Sequence, residues 1–205
     1  CRKLKLTKDD EVLEIGTGWG SFALHAARNY HCHVTTTTIS DNQFSYVSDL
    51  ISKENLWSQI TLLNSDYREL EGSYDKIVSI EMIEAVGPDH VSGFFNKVSS
   101  LLRPSGLMAL QGITYNDPDF EAYKNSVDFI KKYIFPGGCL VSVSQIKDAI
   151  KAKTDLTLVE VEDITQHYAR TIKYWRQDFI KALPEIRGLG FSESFIRIWE
   201  FYLVY

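Results

Sequence analysis

The chain lacks any run of about 18 consecutive apolar residues, the length a membrane-crossing helix requires. Its 3 cysteines, Cys1, Cys32 and Cys139, stand at no metal-ligand or Cys-x-x-Cys spacing. That argues against a zinc ribbon or a dithiol redox centre and predicts free thiols in a reducing compartment, with no metal site. Basic residues are outnumbered, with 22 Lys and Arg against 27 Asp and Glu for a net charge of -5. No basic face dominates, so a nucleic-acid backbone is not an expected partner. Internal repeats, low-complexity tracts, coiled-coil heptads and a secretory-leader pattern are also missing.

What is present suffices for one substantial core: 205 residues, 44% of them hydrophobic, predict a single domain. The chain opens on Cys1 and stops at Tyr205 within an aromatic run, and both ends read as cuts through a larger protein. Apolar runs alternate with helical patterns, as in a mostly parallel α/β sheet with helices on both faces. Strands are predicted at Glu11–Ile15, His33–Ile39, Ile60–Asn64, Lys76–Ile80, Leu107–Ile113 and Leu156–Val161. Helices are predicted at Ser21–Asn29, Gln43–Glu54 and His90–Leu102, the last stopped by Arg103-Pro104-Ser105-Gly106 before the fifth strand. A helical pattern over Phe120–Ile134 then interrupts the alternation, and a late one runs from Tyr168 to Leu183. Three stretches follow: a cofactor-binding core over 1–115, a helical insert over 116–155, and a sixth strand with C-terminal helices over 156–205. An insert after the fifth strand is either a buried connector or a lid over the sheet edge where ligands bind in open α/β folds.

The sharpest local signal is Val12-Leu13-Glu14-Ile15-Gly16-Thr17-Gly18-Trp19-Gly20, a strand running into alternating glycines and then a helix. Glycines there let the backbone turn tightly and approach a ligand, while the helix aims free N–H groups at negative charge. A dinucleotide fingerprint needs Gly-x-Gly-x-x-Gly and an acid about 20 residues on. Here Ser21 takes the place of the third glycine, the second strand ends in Thr36-Thr37-Thr38-Ile39-Ser40 without an acid, and Glu14 lies inside the first strand. This arrangement resembles motif I of class I S-adenosylmethionine-dependent methyltransferases. A purely structural turn is the alternative.

Five more strings, taken in order, extend the resemblance. They are Val34-Thr35-Thr36-Thr37-Thr38-Ile39-Ser40-Asp41-Asn42-Gln43, Ser79-Ile80-Glu81-Met82-Ile83-Glu84-Ala85-Val86-Gly87, Phe129-Ile130-Lys131-Lys132-Tyr133-Ile134-Phe135-Pro136-Gly137-Gly138, and His167 to Trp175 with Trp199-Glu200-Phe201-Tyr202. Together they resemble the cyclopropane-fatty-acyl-phospholipid synthases and their mycolic-acid-modifying relatives, over essentially the whole chain. The resemblance implies a class I (Rossmann-like) methyltransferase fold. It implies transfer of a methyl group from S-adenosylmethionine to the double bond of an unsaturated phospholipid acyl chain, with bicarbonate as the base that allows ring closure. It further implies a cytoplasmic protein that works at membrane surfaces. Physical chemistry agrees: an alkene is a weak nucleophile, so positioning must supply rate, and a developing cation needs a fixed anion and shelter from water. With 4 tryptophans, 11 tyrosines and 11 phenylalanines the chain can line such a pocket, although most of these will be core.

Carried over by position, Glu14, Gly16, Gly18, Trp19 and Gly20 form the cofactor turn, with the glycines against the cofactor's methionine part. Thr38, Ile39 and Gln43 would meet its ribose and adenosine, and Asp66 with Tyr67 its adenine, unless Asp66 merely caps the next turn. Glu84 matches the glutamate that holds bicarbonate, with the alternative of a solvated helix-start residue; Glu81 is its near neighbour of lower rank. A carboxylate facing bicarbonate requires a shared proton or a raised pKa. Ile113 would act through its backbone and Tyr202 through its hydroxyl. Gln111 departs from the histidine of bacterial members, as in the plant-like eukaryotic branch; it can donate to an anion but cannot carry a proton. His167 is expected to cap or pack. The family's cysteine-bearing segment before motif I is not found in this chain, and a last strand is expected beyond Tyr205. The competing readings are methyl transfer to an amine or a sphingoid lipid, and a degenerate cofactor-binding module.

Overall fold

The computed structural model describes all residues from Cys1 to Tyr205. The chain divides into two compact units, one formed by Cys1–Lys124 with Cys139–Thr157, the other by Asn125–Gly138 with Leu158–Tyr205. The boundaries cut through the predicted insert.

The first unit is built on strands β1 (Glu11–Ile15), β2 (His33–Thr38), β3 (Ile60–Asn64), β4 (Tyr74–Ile80) and β5 (Leu102–Gln111). They form one sheet in the order β3-β2-β1-β4-β5, with every pairing parallel. Parallel strands need crossovers, and these are α1 (Ser21–Tyr30), α2 (Asp41–Lys53) and, between β4 and β5, α3 (Ile83–Val86) with α4 (Val91–Leu101). The sequence direction reverses between β1 and β4, so the strand ends beside that switch point are where a ligand site is expected.

Two apolar cores account for the helix placements. Ala23, Ala26 and Ala27 of α1 and Val47 and Ile51 of α2 pack with Val12 and Val34 in one. Phe94, Phe95 and Val98 of α4 pack with Leu13, Ile15 and Ile77 in the other. Adjacent β1 residues thus serve opposite faces, which is why Val12, Leu13 and Ile15 read as a continuous apolar run.

The predicted turn at 103–106 occurs within β5 rather than before it. Leu102 already pairs with Tyr74, and the register resumes at Lys76 with Leu107. Past β5, the two-residue strands β6 (Thr114–Tyr115) and β7 (Val141–Ser142) pair in parallel and bracket α5 (Phe120–Lys124). The single helix predicted over Phe120–Ile134 is therefore corrected: α5 stops at Lys124, and a π-helical turn spans Ile130–Ile134 in the second unit. Asn125 and Ser126, weak helix formers, occupy the break. A sixth helix, α6 (Val143–Lys153), is capped by Ser142, whose hydroxyl accepts from Gln145 N. The predicted sixth strand at Leu156–Val161 does not form. Its residues join no ladder, and Val159 is 84% exposed. β-propensity is expressed only where a neighbouring edge accepts the strand.

The second unit consists of the π-helical turn, α7 (Thr165–Lys181), α8 (Leu183–Gly188) and α9 (Glu193–Tyr202). Phe129 meets Phe201 edge-on at 4.8 Å, and Arg176 donates to Glu200 at 2.8 Å. Its buried hydrophobic residues are Ile196 and Leu203. The stripe read along α7 is real in spacing, with Tyr168 and Trp175 edge-on at 6.3 Å, yet no residue of that helix is fully buried.

Candidate active site

The first half of the site is the turn after β1. Gly16, Gly18 and Gly20 all have positive φ, at 96°, 51° and 86°. A Cβ at Gly16 would press on Met82 at 3.1 Å and one at Gly20 on Val47 at 3.2 Å, whereas nothing stands within 4 Å of one at Gly18. The outer two glycines therefore serve packing, and Gly18 leaves open space in front of the backbone. Thr17 N and Gly16 N both donate to Thr37 O, pinning the turn to the end of β2. The Thr17 hydroxyl is buried without a partner.

Behind the turn, Glu14 is 3% exposed and accepts the Thr36 hydroxyl at 2.6 Å. Burial pushes its carboxyl up to about 8, and the Thr36 bond offsets only part of that. Glu14 is thus a neutral strut between β1 and β2 at neutral pH. At the end of β2, Thr38 donates to Gln43 Oε1 at 2.7 Å, and Ser40 caps α2 by accepting from Gln43 N. A hydroxyl and a carboxamide consequently stand together where a dinucleotide site would carry an acid. Ile39 is 76% exposed, and Trp19 stands edge-on to Tyr46 at 5.3 Å, both rings about half exposed. The Asp66 side chain accepts from Arg68 N at 2.9 Å and pairs with its guanidinium, which holds the carboxyl below its usual range. Asp66 therefore does cap the 3-10 turn Tyr67–Glu69. Tyr67 packs edge-on against Phe94 at 5.4 Å, and burial raises its phenol.

The second half lies where β4 and β5 end. Glu84, on α3, accepts from Ile113 N through Oε1 at 2.6 Å, while its Oε2 is buried with no partner. Burial raises its carboxyl, the Ile113 N–H opposes this, and the Glu81 charge adds to it. The Glu84 carbonyl also accepts from Cys139 N at 2.9 Å, so α3 is held from two sides. Gly112 makes this approach feasible. A Cβ there would lie 2.7 Å from Ile83 Cγ2 and 3.2 Å from Glu84 Oε1. Gln111 spends its amide on Glu81, with Nε2 donating to Oε1 at 2.9 Å. Tyr202 belongs to the second unit, on α9, edge-on to Phe135 at 5.7 Å and Trp199 at 5.5 Å. His167 is exposed and does not cap; the start of α7 is held by Asp163, which accepts from Thr165 N at 2.8 Å.

Sequence reasoning singled out Glu84 and the Ile113 backbone as members of one anion site, and the structure joins them directly through the Ile113 N–H. The same reasoning missed Gly112, Thr36 and the Glu81–Gln111 bond. Gly112 carried a signal, a glycine directly after a strand; the other two carried none, because their partners are remote in sequence.

A five-stranded parallel sheet in the order β3-β2-β1-β4-β5, with a glycine turn after β1, is the class I methyltransferase fold. The family model described as mycolic acid cyclopropane synthetase matches residues 1–205, and the chain belongs to this family. It is 38% identical over 194 residues to tuberculostearic acid methyltransferase UfaA1 of Mycobacterium tuberculosis, covering 95% of this chain and 45% of that protein. It is 36% identical over 203 residues to cyclopropane-fatty-acyl-phospholipid synthase of Escherichia coli K12, covering 99% and 50% respectively. The crystal structure of mycolic acid cyclopropane synthase CmaA1 complexed with SAH and CTAB superposes with a TM-score of 0.88 at 27% identity, covering 98% of this chain and 73% of that one. The chain spans about half the length of the curated relatives it matches.

Proposed function

We propose that this chain forms the catalytic part of an enzyme that transfers a one-carbon unit from S-adenosylmethionine to the double bond of an unsaturated phospholipid acyl chain, giving a cyclopropane ring. The carrying observation is the Glu84 carboxyl, tethered by Ile113 N–H on one oxygen and buried without a partner on the other. Family membership and an SAH-bearing relative support the cofactor.

S-adenosylmethionine, when bound, supplies an electrophilic methyl group. The residues present fit it: Gly18 has open space before it, and Thr38 and Gln43 offer a hydroxyl and an amide bonded to each other, the hydroxyl also accepting from Ser40 N. Trp19 and Ile39 offer exposed apolar surface for an adenine, and Tyr67 stands beside the capped Asp66. Glu14 and Thr36 keep the turn in place from behind.

Bicarbonate would serve as the base that takes the proton released on ring closure. The Glu84 carboxyl suits it, because a neutral acid can donate from Oε2 to an anion while Oε1 stays with Ile113, whereas a charged carboxylate would repel it. Gln111 and Tyr202 enter this reading through the family resemblance. Work on a membrane surface follows from the substrate, and no helix of the chain is long and apolar enough to cross a membrane.

The test incubates the full-length parent with S-adenosylmethionine and vesicles of unsaturated phospholipid, with sphingoid lipid and amine acceptors in parallel. Mass spectrometry should show acyl chains gaining a methylene unit. Glu84→Gln can keep the Ile113 hydrogen bond but cannot exchange a proton, so turnover should fall by roughly 10²-fold or more with cofactor affinity nearly unchanged. Unmodified acyl chains, or gain only on an amine, would refute the lipid assignment.

A further inference from the structure

Glu81 stands at the first residue beyond β4 with φ of 53°, in the left-handed region that glycine occupies without cost. An L side chain held there calls for a reason, and its contacts supply one. The Glu81 N–H donates to Gln111 O at 2.9 Å, and the Glu81 carboxylate accepts from Gln111 Nε2, also at 2.9 Å. Main chain and side chain thus clamp the ends of β4 and β5 to each other. Two residues further along each segment, or three in the case of Glu84, comes the Glu84–Ile113 bond, with Gly112 between.

A carboxylate offers only acceptors, so the amide facing it must present its NH2 group. One Nε2 hydrogen is thereby committed to Glu81, and Gln111 keeps its other N–H and its Oε1 for a further partner. We propose that Glu81 is a positioning residue of the active site: by its bonds to both the main chain and the side chain of Gln111 it holds the Gln111 amide in one orientation, with the remaining N–H and Oε1 presented together. This rests on the catalytic reading above.

The experiment uses the full-length protein with S-adenosylmethionine and unsaturated phospholipid vesicles, and compares E81G, E81Q, Q111A and E81G/Q111A. Glycine suits the positive φ, so E81G should melt no lower than wild type, yet its kcat should fall about tenfold with KM nearly unchanged. E81Q keeps an acceptor oxygen for Nε2 and should restore kcat to within about threefold of wild type, which a charge-only or bulk-only role would not do. The double variant should be no slower than Q111A, because both changes remove one function. Wild-type kcat in E81G, a loss in E81Q equal to that in E81G, or additive losses would overturn the proposal. Thermal unfolding separates it from the reaction itself: Q111A should lower the melting temperature in the wild-type background and not in E81G. Equal shifts in both backgrounds would refute the clamp even if the lipid reaction is confirmed. A wild type that modifies no lipid would refute the reaction and leave the clamp to be judged by unfolding.

Discussion

The two units of the chain solve the burial problem differently. In the sheet unit Phe94, Leu13, Ile15, Ile77 and Val34 are almost wholly removed from water, and the polar side chains of Glu14 and Thr36 are buried against each other. In the helical unit Ile196 and Leu203 are the buried hydrophobics, while Tyr174, Trp175, Phe191 and Phe201 remain about half exposed. A parallel sheet covered on both faces forces deep burial and places each strand end to within a residue. Amphipathic helices tolerate shallow contact. The residues whose geometry matters most for the proposed chemistry, Glu84 and the Ile113 N–H, accordingly sit in the unit that packs most tightly.

The contrast can be broken most forcefully in the cores. Phe94→Ala in the sheet unit should cost about 3–5 kcal/mol, because the hole beside Phe95 and Tyr67 cannot collapse. Trp175→Ala in α7 should cost about 1 kcal/mol or less, since half of the ring is already wet. Denaturant unfolding of both variants gives the ranking, and comparable losses would sink the distinction.

Glycines sharpen it next. Gly112→Ala must push Ile83 or Glu84 aside, for about 1–3 kcal/mol of stability. Turnover should drop by roughly 10²-fold through a displaced Glu84. Gly188→Ala, in α8 with nothing within 4 Å, should be neutral or stabilise by about 0.4–1 kcal/mol. A stable, fully active Gly112→Ala would show that the close approach of β5 to α3 is dispensable.

The gentlest probe is pH. The Glu14 carboxyl is raised in the folded protein to about 8, well above the ordinary carboxylate range, so the native state binds the proton more tightly than the unfolded chain. Its contribution is complete at acid pH and declines as pH rises from the unfolded value to about 8, by at most about 1.4 kcal/mol per pH unit. Glu14→Gln should remove that decline, so the stability difference between variant and wild type should grow in the variant's favour from pH 5 to 8. Parallel pH curves would mean that Glu14 does not carry a native-state proton.

Legibility followed the same division. β1 and β3 were predicted residue for residue and β2, α1 and α4 to within about a residue at each end, because periodicity and the glycine turn are local signals. The break after Lys124 and the failure of Leu156–Val161 to form a strand were not readable, since each depends on which neighbour is available. Within the site, Glu84 and Ile113 were legible as motif positions, but their bond to each other was not. The Thr38–Gln43 bond was half legible, as two residues of suitable chemistry whose mutual satisfaction only folding reveals.

By itself the sequence determined the order of β1 to β5 with the helices α1, α2 and α4 between them, the turn Gly16-Thr17-Gly18-Trp19-Gly20 and the family, all of which are written in neighbouring residues. Tertiary structure alone decided that Glu14 is a neutral strut, that Gly112 admits Glu84, and that Gln111 gives its amide to Glu81. The physical reason is distance along the chain. Protonation, close packing and amide orientation are set by groups 22 to 30 residues away, which only the parallel sheet brings within hydrogen-bond reach.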